Sequence, residues 1–482
     1  MAAFAASINS GNQTLIKKML KAALNGNGKA KQELISKNGI ILGVVGDEAH
    51  TAESKDGNLN IIFLGDIYNL DTLRPLIKPA AAGKTAADMI LALYRMKGVQ
   101  CVHYLDGPFA FVIADGDKFY AARDPLGVKP LYFSKGEKGW LFATELKAFG
   151  DDVKKVSEFP AGCYVDSTGG AKRYYKLPGA PVKNVNLNEA VDLIRTLVTD
   201  SITKRIEPHG DVGIYLTGSV ESCIITALAA EKVKRIKTFS VGLEGSIDGN
   251  TAKRVASWLN TDHTHIEISQ QDVLDCLPQV VHTIENFDAG LVRQAVADHF
   301  AVRAAVGKVK ALVSGDGANE LFGGYAYLRP MFSEKLTSEI RNITENLHRT
   351  NLHRWERMTS AVGLEGRMPY VDRKLVHAAF HLPANMKINE EGRSKWILRR
   401  TFSTLLPAWV IDRPDNDDTH HQGIITALEE YAATVFTEED LSNDAHKSEP
   451  LSIRTKDELL YYQIWSAKFP AEYVSLVGRT QS

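Results

Sequence analysis

The 482-residue chain carries almost no excess charge: 57 Lys and Arg stand against 58 Asp and Glu, a formal net charge of -1. Without a positive field nothing holds a polyanion or an anionic bilayer by bulk attraction, so neither nucleic acid nor membrane is expected as a partner. No apolar run approaches the roughly 20 residues of a membrane-crossing helix, and residues 1–8 lack both a basic segment and a full apolar core of the kind that directs export. The expectation is a soluble, cytoplasmic protein. Cysteine is scarce. Cys101, Cys163, Cys223 and Cys276 are scattered with no CxxC pair, which argues against a structural zinc site or a disulfide framework and predicts buried thiols. Internal repeats are missing as well. Disorder is excluded as the dominant state by a hydrophobic content of 44%, and the length implies two or three domains with proper cores.

What is present changes texture along the chain. NIIFLGDIY (60–68), FAFVIAD (109–115) and KFYAAR (118–123) are short apolar or alternating runs bounded by turn residues, which predicts strands. Met89, Ile90, Leu93 and Tyr94 recur at helical spacing between 87 and 97, so this half reads as a layered α+β domain. LPGAPVKNVN (177–186) has two prolines, a glycine and no period, and marks a boundary between domains at 1–180 and 187–482. Beyond it a helix over 187–204 leads to alternating units: strand 213–216 and a helical run from 223, strand 238–243, helix 251–259, strand 265–269, helix 272–284, strand 309–315. Repeated βα units predict a doubly wound parallel sheet. After Tyr325 the pattern is mostly helical, with irregular material at 412–422.

In such a sheet the ligand sits at the carboxyl ends of the strands. Two turns there stand out: LTGSVES (216–222), whose amides could hold an anion, and SGDGANELFGGY (314–325), which adds acids. Each alone could be no more than a tight turn with a helix cap. Their order, followed by GLEGRMPYVD (363–372) and GRSKWILRR (392–400), is far more specific.

With GDIYN (65–69), LDGPFAFVIAD (105–115), RDPLGVKPLYF (123–133), ATELKAF (143–149) and TFSVGLEGSID (238–248) added, the chain resembles the glutamine-dependent asparagine synthetases and their β-lactam and carbapenam synthetase relatives. The resemblance runs from Asn60 to YYQIW (461–465). It implies an N-terminal-nucleophile, glutaminase-like α+β sandwich followed by an α/β doubly wound ATP-pyrophosphatase domain of the adenine nucleotide α-hydrolase type. In that family the first domain releases ammonia from glutamine and the second adenylates a small-molecule carboxylate, with ATP and magnesium as cofactors. Relatives often self-associate. The resemblance places Thr217, Gly218, Ser219, Glu221, Ser222, Val241, Asp248, Gly315 and Asp316 around the nucleotide. It places Glu221 and Asn319 on the metal, and Glu365 and Lys395 in catalysis.

Several of those positions depart from the family. Glutamine hydrolysis there uses a cysteine just after the initiator methionine, with its own α-amino group as base; here that residue is Ala2. Leu64, Asp66 and Ala86 replace substrate-holding residues of the same half. The SGGxDS phosphate loop has become Thr217-Gly218-Ser219-Val220-Glu221-Ser222, which adds a side chain at 219 and moves the metal-binding carboxylate one methylene outward. Asn319 is a neutral amide where the family has an acid, and losing a full charge weakens a hard-cation site. The expectation is an inactive glutaminase and a non-catalytic or strongly weakened synthetase half, serving as scaffold, assembly subunit or ligand sensor. The alternative is a working ligase that adenylates aspartate or a related acid and uses ammonia or an internal amine.

For Glu365 the plain alternative is a helix-end carboxylate pairing with Arg367, and for Lys395 a surface charge near a helix start. Tyr325 and Tyr370 are expected to pack. Gly83-Lys84-Thr85 ends like a phosphate-binding loop but lacks the earlier glycine. Asp417, Asp418, His420 and His421 carry metal-ligand chemistry but read as a solvated loop.

Overall fold

In the computed structural model, the described residues are all but 1, 10–11, 24–31, 38, 47–48, 55–56, 78–84, 137–138, 180, 182–184, 207–210, 414–421, 444–447 and 482. Lys84, with Gly83, and the 417–421 cluster therefore lie outside the described residues. The chain divides into two units, Met1–Lys176 with Ser466–Val477, and Leu177–Trp465 with Gly478–Ser482.

Among its described residues the first unit holds twelve strands: β1 (Ala3–Ile8), β2 (Gln32–Lys37), β3 (Ile40–Val45), β4 (Ala49–Glu53), β5 (Leu59–Gly65), β6 (Phe109–Asp115), β7 (Lys118–Arg123), β8 (Tyr132–Gly136), β9 (Gly139–Ala143), β10 (Ser157–Glu158), β11 (Cys163–Asp166) and β12 (Lys172–Arg173). They form two six-stranded sheets, ordered β10-β8-β9-β1-β3-β2 and β12-β11-β7-β6-β5-β4. Their paired neighbours run antiparallel. Apolar residues explain the stacking. On β5, Ile62 and Leu64 join Phe4, Leu42 and Val112 in a core between the sheets, while Ile61 and Phe63 join Ile90 and Leu93 of helix Ala86–Lys97 on the outer face. A strand buried on both faces reads as an unbroken apolar run, which is why NIIFL does not alternate.

The second unit is a five-stranded sheet built from β13 (Val212–Tyr215), β14 (Lys237–Leu243), β15 (Asp262–Ile268), β16 (Ala311–Val313) and β17 (Glu365–Arg367). Its order is β15-β14-β13-β16-β17, with every pair parallel. After β13 the chain winds outward through β14 and β15, then returns to lay β16 on the other side of β13. The reversal makes the gap between β13 and β16 the switch point where a doubly wound sheet opens a crevice. Helices next to the sheet start on side-chain caps: Ser219, Ser246, Ser269 and Asp288 each accept a backbone N–H in the first turn.

The structure corrects three readings. The second domain is not an unbroken 187–482, because residues 466–477 belong to the first unit; there the Tyr473 hydroxyl donates to the Gly150 and Val153 carbonyls, both at 3.1 Å. That short turn has no periodicity to announce it. The helix expected at 251–259 begins at Ile247, since Ser246 caps it, so Asp248 lies in its first turn. The mostly helical region after Tyr325 also supplies a strand, β17, whose three residues are too few for a period.

Candidate functional site

The two turns singled out in the sequence leave the carboxyl ends of β13 and β16 and meet at the switch point. A cavity of about 520 Å³ opens there, lined among others by Thr217, Ser219, Glu221, Gly315, Asp316 and Asn319. The meeting requires glycine. A Cβ on Gly315 would stand 2.7 Å from Glu221 Cγ, and one on Gly324 would overlap the Asn319 side chain. Gly218 turns the first loop at φ +84°, a conformation that costs an L side chain about 1–2 kcal/mol.

The first loop is closed on itself by hydroxyls. Thr217 Oγ1 lies 3.1 Å from Ser219 Oγ and 3.2 Å from Ser222 Oγ, and the two serine oxygens are 3.1 Å apart. Ser219 accepts the Ser222 N–H as the cap of helix Val220–Lys232. Its side chain, expected to crowd a phosphate, is thus folded into the loop.

Lys395 is not the surface charge of the plain reading. It is buried, caps helix Trp396–Thr401 in the left-handed region at φ 52°, and places Nζ 2.9 Å from Glu221 Oε2. Tyr370 is buried, and its hydroxyl donates to the Glu221 carbonyl at 3.3 Å. Gly218 and Asp248 are held by a residue the sequence reading passed over: Arg413 donates to the Gly218 carbonyl at 2.8 Å and to Asp248 Oδ1 at 2.5 Å. Val241 is buried on β14, two residues beyond the level of Tyr215 toward the carboxyl end.

Glu365 is not brought to the cavity. It pairs with Ala311 at the start of β16, and β16 in turn starts level with Val212, so it stands at the amino end of the sheet. Its carboxylate holds Arg367 in a two-pronged bond of 2.9 and 2.8 Å. The pairing with Arg367 foreseen as the plain alternative is therefore there, made from a strand instead of a helix end.

Asp316 sits at the centre of the electrostatics. Burial, with the Glu320 and Glu221 carboxylates, pushes it up to about 7 against the pull of the Ser314 hydroxyl. Its cation, Arg354, is 2.6 Å away but is shared with Asp298, and burial brings the guanidinium down to about 10. Arg354 projects from helix Asn351–Ser360, every residue of which is buried. Glu320 Oε1 accepts the Tyr325 hydroxyl at 2.7 Å and Asn351 Nδ2 at 2.8 Å, so Tyr325 does more than pack. NLHRWERMTS carries Leu352, Trp355 and Met358 at helical spacing, but nothing in that pattern shows that the charges between them are buried as well.

The magnesium implied by the resemblance can be tested against these donors. A hard dication takes about six oxygens, preferably charged ones. Here the Glu221 carboxylate is already neutralised by Lys395, Asn319 Oδ1 is buried without a partner, and no group of three or more His, Cys, Asp or Glu among the described residues could hold a metal. The residues present do not fit the ion.

In the first unit, the expected nucleophile position, Ala2, is buried beside β1. Asp88, near the altered Ala86, forms a capping box with Thr85. All four cysteines are buried, and burial pushes the thiols of Cys101, Cys223 and Cys276 up to about 12 and that of Cys163 upward. No helix among the described residues is long and apolar enough to cross a membrane.

Comparison with known proteins agrees with this architecture. Residues 40–151 match the glutamine amidotransferase domain model, and residues 193–347 and 334–467 match the asparagine synthase model. The chain is 31% identical to an asparagine synthetase [glutamine-hydrolyzing] of Sandersonia aurantiaca, over 86% of this chain and 84% of that one. It is 31% identical to a probable asparagine synthetase [glutamine-hydrolyzing] of Schizosaccharomyces pombe, over 91% and 86%. Against asparagine synthetase B [glutamine-hydrolyzing] of Escherichia coli the identity is 32%, over 84% and 78%. With a glutaminase-like sandwich, a doubly wound pyrophosphatase-type sheet and this extent of match, the chain belongs to the asparagine synthase family, as a divergent member.

Proposed function

We propose that this chain is an asparagine synthase family member with an inactive glutaminase half and a non-catalytic or strongly weakened synthetase half, retained as a cytoplasmic, self-associating scaffold or assembly subunit. The observation that carries the reading is the buried ion pair between Lys395 and Glu221 at 2.9 Å. A magnesium ion would have to win that carboxylate from an ammonium, with Asn319 contributing no charge in return. Removing one partner of a buried pair leaves the other uncompensated, at about 3–5 kcal/mol, a cost set directly against metal and triphosphate binding. The arginine across Gly218 and Asp248 adds to it.

The loss of glutamine hydrolysis rests on the thiols. Amide attack needs a thiolate beside an α-amino base, and the four cysteines are buried, with burial raising every thiol and so disfavouring the thiolate. The named relatives are glutamine-hydrolysing, so the expected absence of glutamate release is a direct contrast with them.

Pyrophosphate release from ATP with aspartate and ammonia tests the reading. We expect turnover far below the ordinary enzyme range of roughly 1–1,000 per second. The paired variant Glu221→Asp with Asn319→Asp should tighten magnesium binding at least tenfold in a calorimetric titration. Native turnover within the ordinary range would overturn the proposal. It would favour the second reading, an ATP-dependent ligase for aspartate or a related small carboxylate, to which the formed cavity between the two loops lends support.

A further inference from the structure

Each of the three guanidiniums that line the cavity has a carboxylate partner, although Arg479 Nη1 itself makes no bond among the described residues. Arg293 pairs with Glu429 at 2.6 Å and Asp457 at 2.9 Å, Arg354 with Asp298 and Asp316, and Arg479 with Glu458 at 3.0 Å. Of the lining carboxylates, Glu320 alone among the described residues has no cationic partner. It is 3% exposed, both of its donors are neutral, and both serve Oε1. Oε2 takes no hydrogen bond from any described residue. A carboxylate oxygen in a residue this little exposed gains more from a donor than one in open water. Tyr215 also lines the cavity; it is 5% exposed, and its hydroxyl has no partner among the described residues.

We propose that this end of the cavity is a receptor for an organic cation, a ligand whose protonated primary amine donates to Glu320 Oε2. Glu320 supplies the full charge, and the phenol oxygen of Tyr215 is a neutral acceptor elsewhere in the cavity lining. The hydrogen bonds to Oε1 hold the carboxylate still, so no rotamer entropy is spent when the ligand arrives. An amine suits the place better than a hard metal ion. It needs at most three acceptors, where magnesium demands six at fixed distance. A charge-assisted hydrogen bond is also roughly twice as strong as a neutral one. The cavity's 520 Å³ is ample for a molecule of amino-acid or polyamine size.

This inference rests on the second unit's cavity being the ligand site considered above, and it is tested without nucleotide or magnesium, so the two readings fail separately. The full chain is titrated calorimetrically with n-butylamine, putrescine and agmatine, and with 1-butanol and 1,4-butanediol as neutral counterparts. We expect the amines to bind at least tenfold more tightly than the alcohols, Glu320→Gln to remove that preference, and Asn319→Asp, which adds a carboxylate on the same helical turn, to tighten amine binding at least threefold. Should Glu320→Gln fail to fold, the Asn319→Asp shift and the amine-to-alcohol ratio of the native chain decide. Equal binding of amines and alcohols, no amine binding at millimolar concentration, or an unchanged preference in folded Glu320→Gln would each overturn the proposal.

Discussion

Two acid-bearing turns at strand ends look alike in sequence and behave oppositely. In the first unit, the turn after β7 carries Arg123 and Asp124, and nothing there is left over. Arg123 donates to the Lys129, Phe159 and Gly127 carbonyls and to Glu158 at 2.7–2.9 Å. Asp124 accepts the backbone N–H groups of Phe109, Leu126, Val128 and Lys129. In the second unit, the turn after β16 leaves Asn319 Oδ1 without a partner and Glu320 Oε2 without a donor among the described residues. A turn that satisfies itself is architecture, and a turn that leaves acceptors facing a cavity can hold a ligand. A family motif does not distinguish the two cases; the hydrogen-bond count does.

The comparison breaks first at Asp124. Replacing it with alanine strands four backbone donors, and each buried unmet donor costs about 1–3 kcal/mol. Asp124→Ala should therefore destabilise the first unit by roughly 4–5 kcal/mol in chemical denaturation, with Asp124→Asn losing clearly less because one acceptor oxygen remains. A loss under about 1 kcal/mol would show that the turn is not the anchor its bonds suggest. Lys395→Met comes next. It leaves Glu221 buried and uncompensated, for an expected loss of about 3–4 kcal/mol, and the second change Glu221→Met should recover most of it. If the double variant were no better than the single one, the pair would not be coupled as its 2.9 Å geometry implies.

A smaller effect follows pH. On the edge of the second sheet, His263 Nδ1 meets Thr238 Oγ1 at 2.8 Å and Nε2 meets Ser240 Oγ at 3.1 Å, while Ser240 also meets His265 Nδ1 at 2.7 Å. Burial, then the charges of His265 and Lys253, bring His263 down to about 4, and burial lowers His265. The folded chain thus favours the neutral rings. As pH falls below about 6.5 the unfolded chain takes up protons first, so stability is full above that value and is lost progressively toward pH 4. The loss should be on the order of 1 kcal/mol, since both rings are partly in water. His263→Asn should flatten the dependence, and a native curve that stays level between pH 7.5 and 5 would count against it.

Much of this was legible in the sequence, for identifiable reasons. Strands 109–115 and 118–123 coincide with β6 and β7 because turn residues bound them on both sides. The alternation from β13 to β16 was plain because each βα unit is long enough to show its period. Both site turns were found from small residues after buried strands. What escaped has physical causes too. Arg413 acts on a loop nearly two hundred residues earlier in the chain, and no local pattern records such a distance. The helix bearing Arg354 is buried on its charged face as well as along Leu352, Trp355 and Met358, and an apolar stripe alone reads as a helix half in water. Glu320 stood inside a recognised motif, but only the partners of its two oxygens separate it from an ordinary buried carboxylate.

The smallest effect expected is at Glu365, the one residue of the predicted catalytic set that the fold places away from the cavity. It lies level with the first residues of β13 and β16, whereas the cavity opens beyond their last ones. Its two bonds to Arg367 are made at a partly exposed carboxylate, where solvent discounts an ion pair toward about 1 kcal/mol or less. Glu365→Gln keeps one acceptor for Arg367, so stability should fall by no more than about 1 kcal/mol and amine binding at the cavity should change less than twofold. A residue acting on the ligand would behave otherwise: the amide would weaken binding tenfold or more with stability unmoved. That pattern would mean the amino end of the sheet reaches the ligand, and would undo the assignment of Glu365 to the scaffold.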